Sequence, residues 1–413
     1  MLGYSEMREV MLWVQTTKSA KVQIQYWEID KPKILHKTQV VETQKESGFT
    51  AHLLADEVEP SMKYAYKLLI NNKLVPISYK LEFKTPPLWR YRSEPEKVPQ
   101  FKIALGSCAF INEEKYDRIG KGYGGDYGIF QSIAKQNPEI MLWLGDNMYL
   151  READSYSKTR IYYRYTHSRS LPEMRELLAS SINLAIWDDH DYGPNDSDKT
   201  FTKKDISLQA FKDFWANPSY GIDNQGGITS FYEYGDCQFF LIDDRYFRSA
   251  DNLKTAPREM LGQKQMDWLI ESLAGSQATF KFVCIGGQVL NSVPIYETLS
   301  NVSPNEYTQL WARLDSEKIK NVIFLTGDRH HTELTARESK SGIKVYDWTV
   351  SPFTSGVAKA PNENNIYRVP NSYIEARNFG LIEVSGEKNQ RVLNLKCLGV
   401  NGEELWKYEI KAQ

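Results

Sequence analysis

Short apolar runs, each closed by a polar cluster, set the rhythm of residues 101–413. The runs are Phe101–Leu105, Ile140–Leu144, Leu184–Trp187, Phe239–Ile242, Phe282–Ile285 and Val322–Leu325. Each has the roughly 4–6 residues of a buried strand. Helical periodicity falls between them, at 127–136, 171–180, 205–216, 262–274 and 305–319. Within 262–274, Met266, Leu269, Ile270 and Leu273 mark one apolar face. Buried strands alternating with amphipathic helices predict an α/β domain.

Residues 1–88 keep a different rhythm. Val22, Ile24 and Tyr26 alternate with Lys21, Gln23 and Gln25, the period of a half-buried strand. The stretch Val58–Tyr66 is similar to the tyrosine-corner segment of fibronectin-type sandwiches. Short strands with turns between them predict a small fibronectin/Ig-like β-sandwich. Pro86, Pro87, Pro95 and Pro99 then mark a break. The expected division is an N-terminal β-sandwich at 1–88, a linker at 89–100 and an α/β domain at 101–413.

The polar cluster at the end of each apolar run carries the chemistry. The first run ends in Gly106-Ser107-Cys108 and the second in Gly145-Asp146-Asn147-Met148-Tyr149. The third ends in Trp187-Asp188-Asp189-His190-Asp191, continuing to Asp196. The last three end in Asp243–Arg248, Gly286-Gly287-Gln288 and Thr326-Gly327-Asp328-Arg329-His330-His331. Any one of these reads as a turn. In open α/β sheets, however, ligands bind outside the carboxyl ends of the strands, so the six clusters are predicted to face one another. Thiolate, carboxylate, phenol, imidazole and amide together suit a borderline or transition metal better than a calcium-only oxygen cage. Two ions would need a bridging carboxylate, and Asp146 is the best candidate. Blander roles are expected elsewhere. His36 and His52 read as structural, and His167 as a surface or helix-packing residue. His331 reads as a support for the site, and Arg248 as the partner of an acidic side chain.

Composition narrows the picture. Fifty-one Lys+Arg against 53 Asp+Glu leave a net charge of −2, which argues against a nucleic-acid protein held by bulk positive charge. Cys108, Cys237, Cys284 and Cys397 are widely spaced and form no CxxC, so zinc-ribbon and thioredoxin motifs are excluded. No run approaches the ~18 apolar residues of a membrane span. No signal peptide is legible ahead of the strand-like Val10–Val14. A serine hydrolase and a P-loop enzyme are disfavoured, because neither G-x-S-x-G at a strand end nor GxxxxGK[ST] occurs.

Taken in order, these motifs resemble the alkaline phosphatase D (PhoD-like) family of calcineurin-like metallophosphatases. The resemblance covers Gly-Ser-Cys, Gly-Asp-Asn-Met-Tyr, Trp-Asp-Asp-His-Asp, Asp243–Arg248, Leu261–Leu269, Gly327–His330 and Ser351–Gly356. It implies a four-layer α/β/β/α metallophosphatase sandwich behind the N-terminal module. It further implies that Cys108, Asp146, Tyr149 and His330 hold Fe³⁺, while Asp146, Asp189 and Asp328 hold a second, divalent ion such as Ca²⁺. Asp188 and Gln288 are secondary candidates. The expected reaction is hydrolysis of a phosphoester by metal-bound hydroxide. In it His190 contacts the phosphoryl or leaving oxygen, steadied by Asp188 or Asp191; Arg245 grips a phosphate oxygen and Asn147 adds a donor. The Gly193–Asp196 tail is expected to set specificity. A phosphotriesterase, a lipid phosphodiesterase on the same scaffold and a non-catalytic metal-dependent binding protein are the alternatives. Export to the periplasm or medium is expected from the resemblance.

Overall fold

In the computed structural model, residues 1–90, 98–360 and 362–413 are described. Most of the expected linker, including Pro95, lies outside them. The N-terminal strands are β1 (Leu2–Ser5), β2 (Val10–Gln15), β3 (Lys21–Glu28), β4 (His36–Lys37), β5 (Val41–Glu42), β6 (Thr50–Ala55), β7 (Lys63–Ile70), β8 (Lys73–Leu74) and β9 (Glu82–Lys84). They form two sheets, β1-β2-β6 and β4-β3-β7-β8, with β5 added to β3 and β9 to β7. All of these pairings are antiparallel. Val22, Ile24 and Tyr26 point inward, as the alternation predicts. Tyr64 Oη accepts the Glu59 N–H at 2.8 Å, tying its strand to the preceding turn. This module packs on the rest of the chain. Trp13 Nε1 donates to Asp213 O, His52 Nε2 lies 2.8 Å from Trp215 O, and Tyr66 Oη donates to Ala179 O.

The remaining residues form two six-stranded sheets. Their strands are β10 (Phe101–Gly106), β11 (Ile140–Leu144), β12 (Ile182–Ile186), β13 (Ser230–Tyr234), β14 (Cys237–Leu241) and β15 (Phe280–Cys284), followed by β16 (Val322–Thr326), β17 (Glu333–Glu338), β18 (Lys344–Thr349), β19 (Asn378–Ser385), β20 (Val392–Gly399) and β21 (Glu404–Lys411). One sheet runs β12-β11-β10-β19-β20-β21 and the other β13-β14-β15-β16-β18-β17. Within them β12-β11-β10 and β14-β15-β16-β18 are parallel. Every residue of β11, β12, β15 and β16 is buried. That is why they read as continuous apolar runs rather than as alternation.

Helices α1 (Ile129–Lys135), α2 (Lys158–Arg169), α3 (Arg175–Ser180), α4 (Asp189–Tyr192), α5 (Lys204–Phe214), α6 (Gln263–Gly275), α7 (Leu299–Val302) and α8 (Pro304–Ser316) connect the strands. The expected helix at 171–180 is split, with a 3₁₀ turn at Pro172–Met174 before α3. Strand residues of the second sheet divide between two cores. Phe239, Phe282, Ile323 and Trp348 join Ile103, Leu105 and Leu142 of the first sheet. Their neighbours Phe240, Val283, Phe324 and Val345 instead join Leu269, Ile270 and Leu273 of α6 and Leu310 of α8. Each such buried leucine contributes roughly 1.5–3 kcal/mol by leaving water. The apolar face foreseen for 262–274 is the face that does this packing.

Candidate metal centre

The parallel strands bring their carboxyl ends to one place, and close backbone approaches hold the loops together there. A side chain at Gly286 would meet the carboxylates of Asp188 and Asp244 at 2.6 Å, and one at Gly327 would meet Ser107 at 2.6 Å. Only glycine lets the β15 and β16 loops approach those of β12 and β10 this closely. Several candidate ligands sit in the left-handed region, with φ of 63° at Cys108, 52° at Asp146, 63° at Asp328 and 56° at His330. Non-glycine residues rarely adopt it, and such strain gathers at functional sites.

Ligand atoms of Cys108, Asp146 and His330 lie within 4.8 Å of one another, and so do those of Asp146, Asp189 and His190. Asp146 belongs to both groups. Cys108 Sγ is 3.5 Å from Asp146 Oδ2 and receives a hydrogen bond from Ser351 Oγ at 3.1 Å. Tyr149 Oη lies 3.2 Å from His330 Nε2, and Tyr123 Oη lies 2.9 Å from His330 Nδ1. Asp328 lines the same cleft of about 1190 Å³, beside Asp146, Tyr149, Asp189, His190 and His330.

These groups fit cations. Asp146 is buried, and its Oδ1 has no hydrogen-bond partner; the same holds for Asp188 Oδ2. Burial, with Cys108 and Asp189 close by, raises the Asp146 carboxyl well above its ordinary range. Asp328 is pushed up to about 7 by burial and by Glu297 and Asp189, and burial raises the Cys108 thiol to about 11. Asp189 goes the other way. Burial opposes its charge, but His190, Arg245 and the Asp196 N–H outweigh it and hold the carboxyl at about 2. Crowded, dehydrated acids without enough positive side chains are what a bound cation relieves. Cys108 and His330 share one group with Asp146, with Tyr149 beside His330, and Asp189 and His190 share the other. Donors that include thiol, phenol and imidazole suit a transition metal better than a calcium-only oxygen cage.

Two expected substrate contacts do not reach the cleft. Arg245 is fully buried, with Nε 2.6 Å from Asp188 Oδ1 and Nη1 2.7 Å from Glu297 Oε1. Its guanidinium is taken up by carboxylates, which corrects the picture of an Arg245 gripping phosphate. Asn147 is likewise committed, its amide donating to Ile186 O at 2.8 Å and to Asp191 Oδ1 at 3.2 Å. Nor does Asp188 or Asp191 hold the His190 ring. Asp188 caps α4 and binds Arg245, and Asp191 takes the backbone N–H groups of Asn147 and Asp188. The ring rests against Tyr149, centroids 4.2 Å apart. Gln288 is a framework residue, bonded to Glu333 and Thr349.

Other expectations of smaller roles meet the geometry directly. His167 packs from α2, with Nε2 3.2 Å from Asn112 O. Arg248 pairs with Asp251 and Glu297. All four cysteines are buried free thiols. Glu297 and Tyr123 went unforeseen, and Ser351 entered only as the first residue of the Ser351–Gly356 motif, without a role. Ser351 opens the polar stretch after β18, the signal that marked the other strand ends. Glu297 and Tyr123 lie far from any strand end, and nothing local distinguishes them.

The two mixed sheets place a cleft lined by metal-ligand residue types at the carboxyl ends of their parallel strands. Residues 103–385 match the PhoD-like phosphatase family, and the chain belongs to that family. A search of curated proteins finds no match. Among solved structures, the fold is similar to that of PhoD at 17% identity and a TM-score of 0.77, covering 99% of this chain and 88% of that one. It is also similar to purple acid phosphatase PPD1 from yellow lupin (Lupinus luteus) seeds, at 12% identity and a TM-score of 0.70, covering 99% and 73%. Among the described residues no helix is long and apolar enough to cross a membrane.

Proposed function

We propose that the chain hydrolyses phosphodiesters at a dinuclear metal centre built on a four-layer α/β/β/α sandwich. One observation carries this reading: two ligand groups share Asp146, and that residue has a buried, unpartnered carboxylate oxygen. Cys108, Asp146, Tyr149 and His330 would hold Fe³⁺; Asp146, Asp189 and Asp328 would hold a divalent ion such as Ca²⁺. The chemistry such ions supply is polarisation of the phosphoryl group and acidification of water.

The chain's own residues orient the rest. His190 faces the Asp146–Asp189 pair from its seat on Tyr149. There it hydrogen-bonds the phosphoryl oxygen or hands a proton to the leaving oxygen. Arg245 acts from below, fixing Asp188 and Glu297, and Asn147 ties the β11 loop to Asp191. Pro194, Asn195 and Asp196 line the cleft and would shape what enters it.

Elemental analysis of protein purified without chelator, followed by a panel of phosphate mono-, di- and triesters, tests the reading. Iron together with diester turnover is the expected result. Cys108→Ser is expected to lose iron and its visible charge-transfer band. Unchanged metal content in that variant would overturn the ligand assignment.

A further inference from the structure

Tyr296 stands at the mouth of the cleft and is 71% exposed. Its backbone has a φ of 45°, a region that a bulky residue occupies only where its surroundings impose it. They do impose it. The next side chain, Glu297, is gripped by the buried Arg245 and Arg248. Asn301 Nδ2 donates to Tyr296 O at 2.6 Å, and Leu299 N donates to Gln288 O at 2.8 Å. The Arg329 guanidinium lies 5.0 Å from the centre of the Tyr296 ring. That guanidinium is itself buried and fixed by Gln288 and Glu363. Two buried arginines thus anchor the residue beside Tyr296, and a third lies over its exposed ring at the edge of the proposed site.

Resting on the phosphoesterase reading of that site, we propose that Tyr296 is a stacking platform for a flat, π-rich group carried by the substrate, as in a nucleoside phosphoester. A ring backed by a cation on one side and held in place offers a full face to a planar partner at little entropic cost. A flexible aliphatic arm would cover that face less completely and would lose rotamer freedom in doing so. Lys121 and Lys359 line the same mouth and add positive charge for an anionic ester. Tyr156, 66% exposed, lines the cleft from the loop after β11, on the other sheet. A diester's second arm would meet a second ring there.

The test is calorimetric titration of the metal-containing protein with adenosine 5′-monophosphate and with glycerol 1-phosphate, for the wild type, Tyr296→Ala and Tyr296→Trp. Turnover of the ester panel is measured in parallel. Tyr296→Ala is expected to weaken adenosine monophosphate binding by roughly 5–150-fold and to move glycerol phosphate binding by less than about twofold, because the loss is confined to stacking. Tyr296→Trp is expected to keep the nucleotide affinity. Equal losses for both ligands, no loss for either, or a wild type that does not prefer the nucleotide would each overturn the platform. Tyr296-dependent binding without turnover of any ester would support the platform while overturning the hydrolase reading. The ring is exposed, so its removal leaves no cavity to disturb folding.

Discussion

Two hollows in this molecule are lined by acidic side chains and histidine, and they differ in what surrounds those groups. In the N-terminal module Glu28, His36, Asp56, Glu57 and Glu59 border a hollow of about 410 Å³. There the charges are paired and wet. Glu28 meets Lys31 at 2.8 Å, Glu57 meets His36 at 3.0 Å and Glu59 meets Arg8 at 3.6 Å, with most of these groups open to solvent. In the other hollow Asp146 and Asp189 are buried, and one carboxylate oxygen of Asp146 has no partner. Removing a charge from water costs several kcal/mol, and only the second arrangement leaves that cost for a metal ion to offset. Acidic composition alone therefore distinguishes nothing; dehydration without enough side-chain cations does.

The comparison can be broken at its strongest point first. Asp146→Asn removes the carboxylate shared by both ligand groups. It is expected to lower bound metal at both positions, by elemental analysis, and to cut diester turnover by about 10³-fold or more. Retention of both ions would mean that Asp146 bridges nothing. His190→Ala separates substrate contact from metal binding. Turnover is expected to fall by ~10²–10⁴-fold with metal content intact, and near-wild-type kcat with a diester would end its proposed role. Glu57→Gln, in the wet hollow, should be close to silent, with metal content and turnover unchanged and Tm within about 2 °C by calorimetry. A drop in metal content there would show that the N-terminal hollow also binds ions.

The strands that carry the site were legible because burial on both faces makes them unbroken apolar runs. Ile140–Leu144 matches β11 residue for residue, and Val322–Leu325 falls one short of β16. The C-terminal strands β19–β21 went unassigned, although Leu393, Leu395 and Cys397 alternate inward along β20. Their position was beyond reach in any case. β19 pairs antiparallel with β10 across nearly the whole length of the catalytic region, and no local pattern encodes a partner so distant. The helix α2 was likewise missed. Its apolar and polar residues are poorly segregated, since Tyr and Arg side chains fill its buried face through their own hydrogen bonds, as Arg164 does with Asp154.

Residue types and spacing were enough to locate six buried strands that end in polar clusters, because a buried strand must change character where it leaves the core. The resemblance of those motifs to a known family, and not residue type or spacing alone, grouped Cys108, Asp146, Tyr149, Asp189, Asp328 and His330 as ligand candidates. Which polar residues face the cleft was decided only by tertiary structure. Asp189 and His190 do, whereas Arg245, from an equally promising cluster, is enclosed by Asp188 and Glu297 and supports the loop that presents Tyr296. The physical reason is that a charge's role depends on whether its partner is a carboxylate a few ångströms away or open solvent, and partners such as Glu297, 52 residues along the chain, become neighbours only on folding.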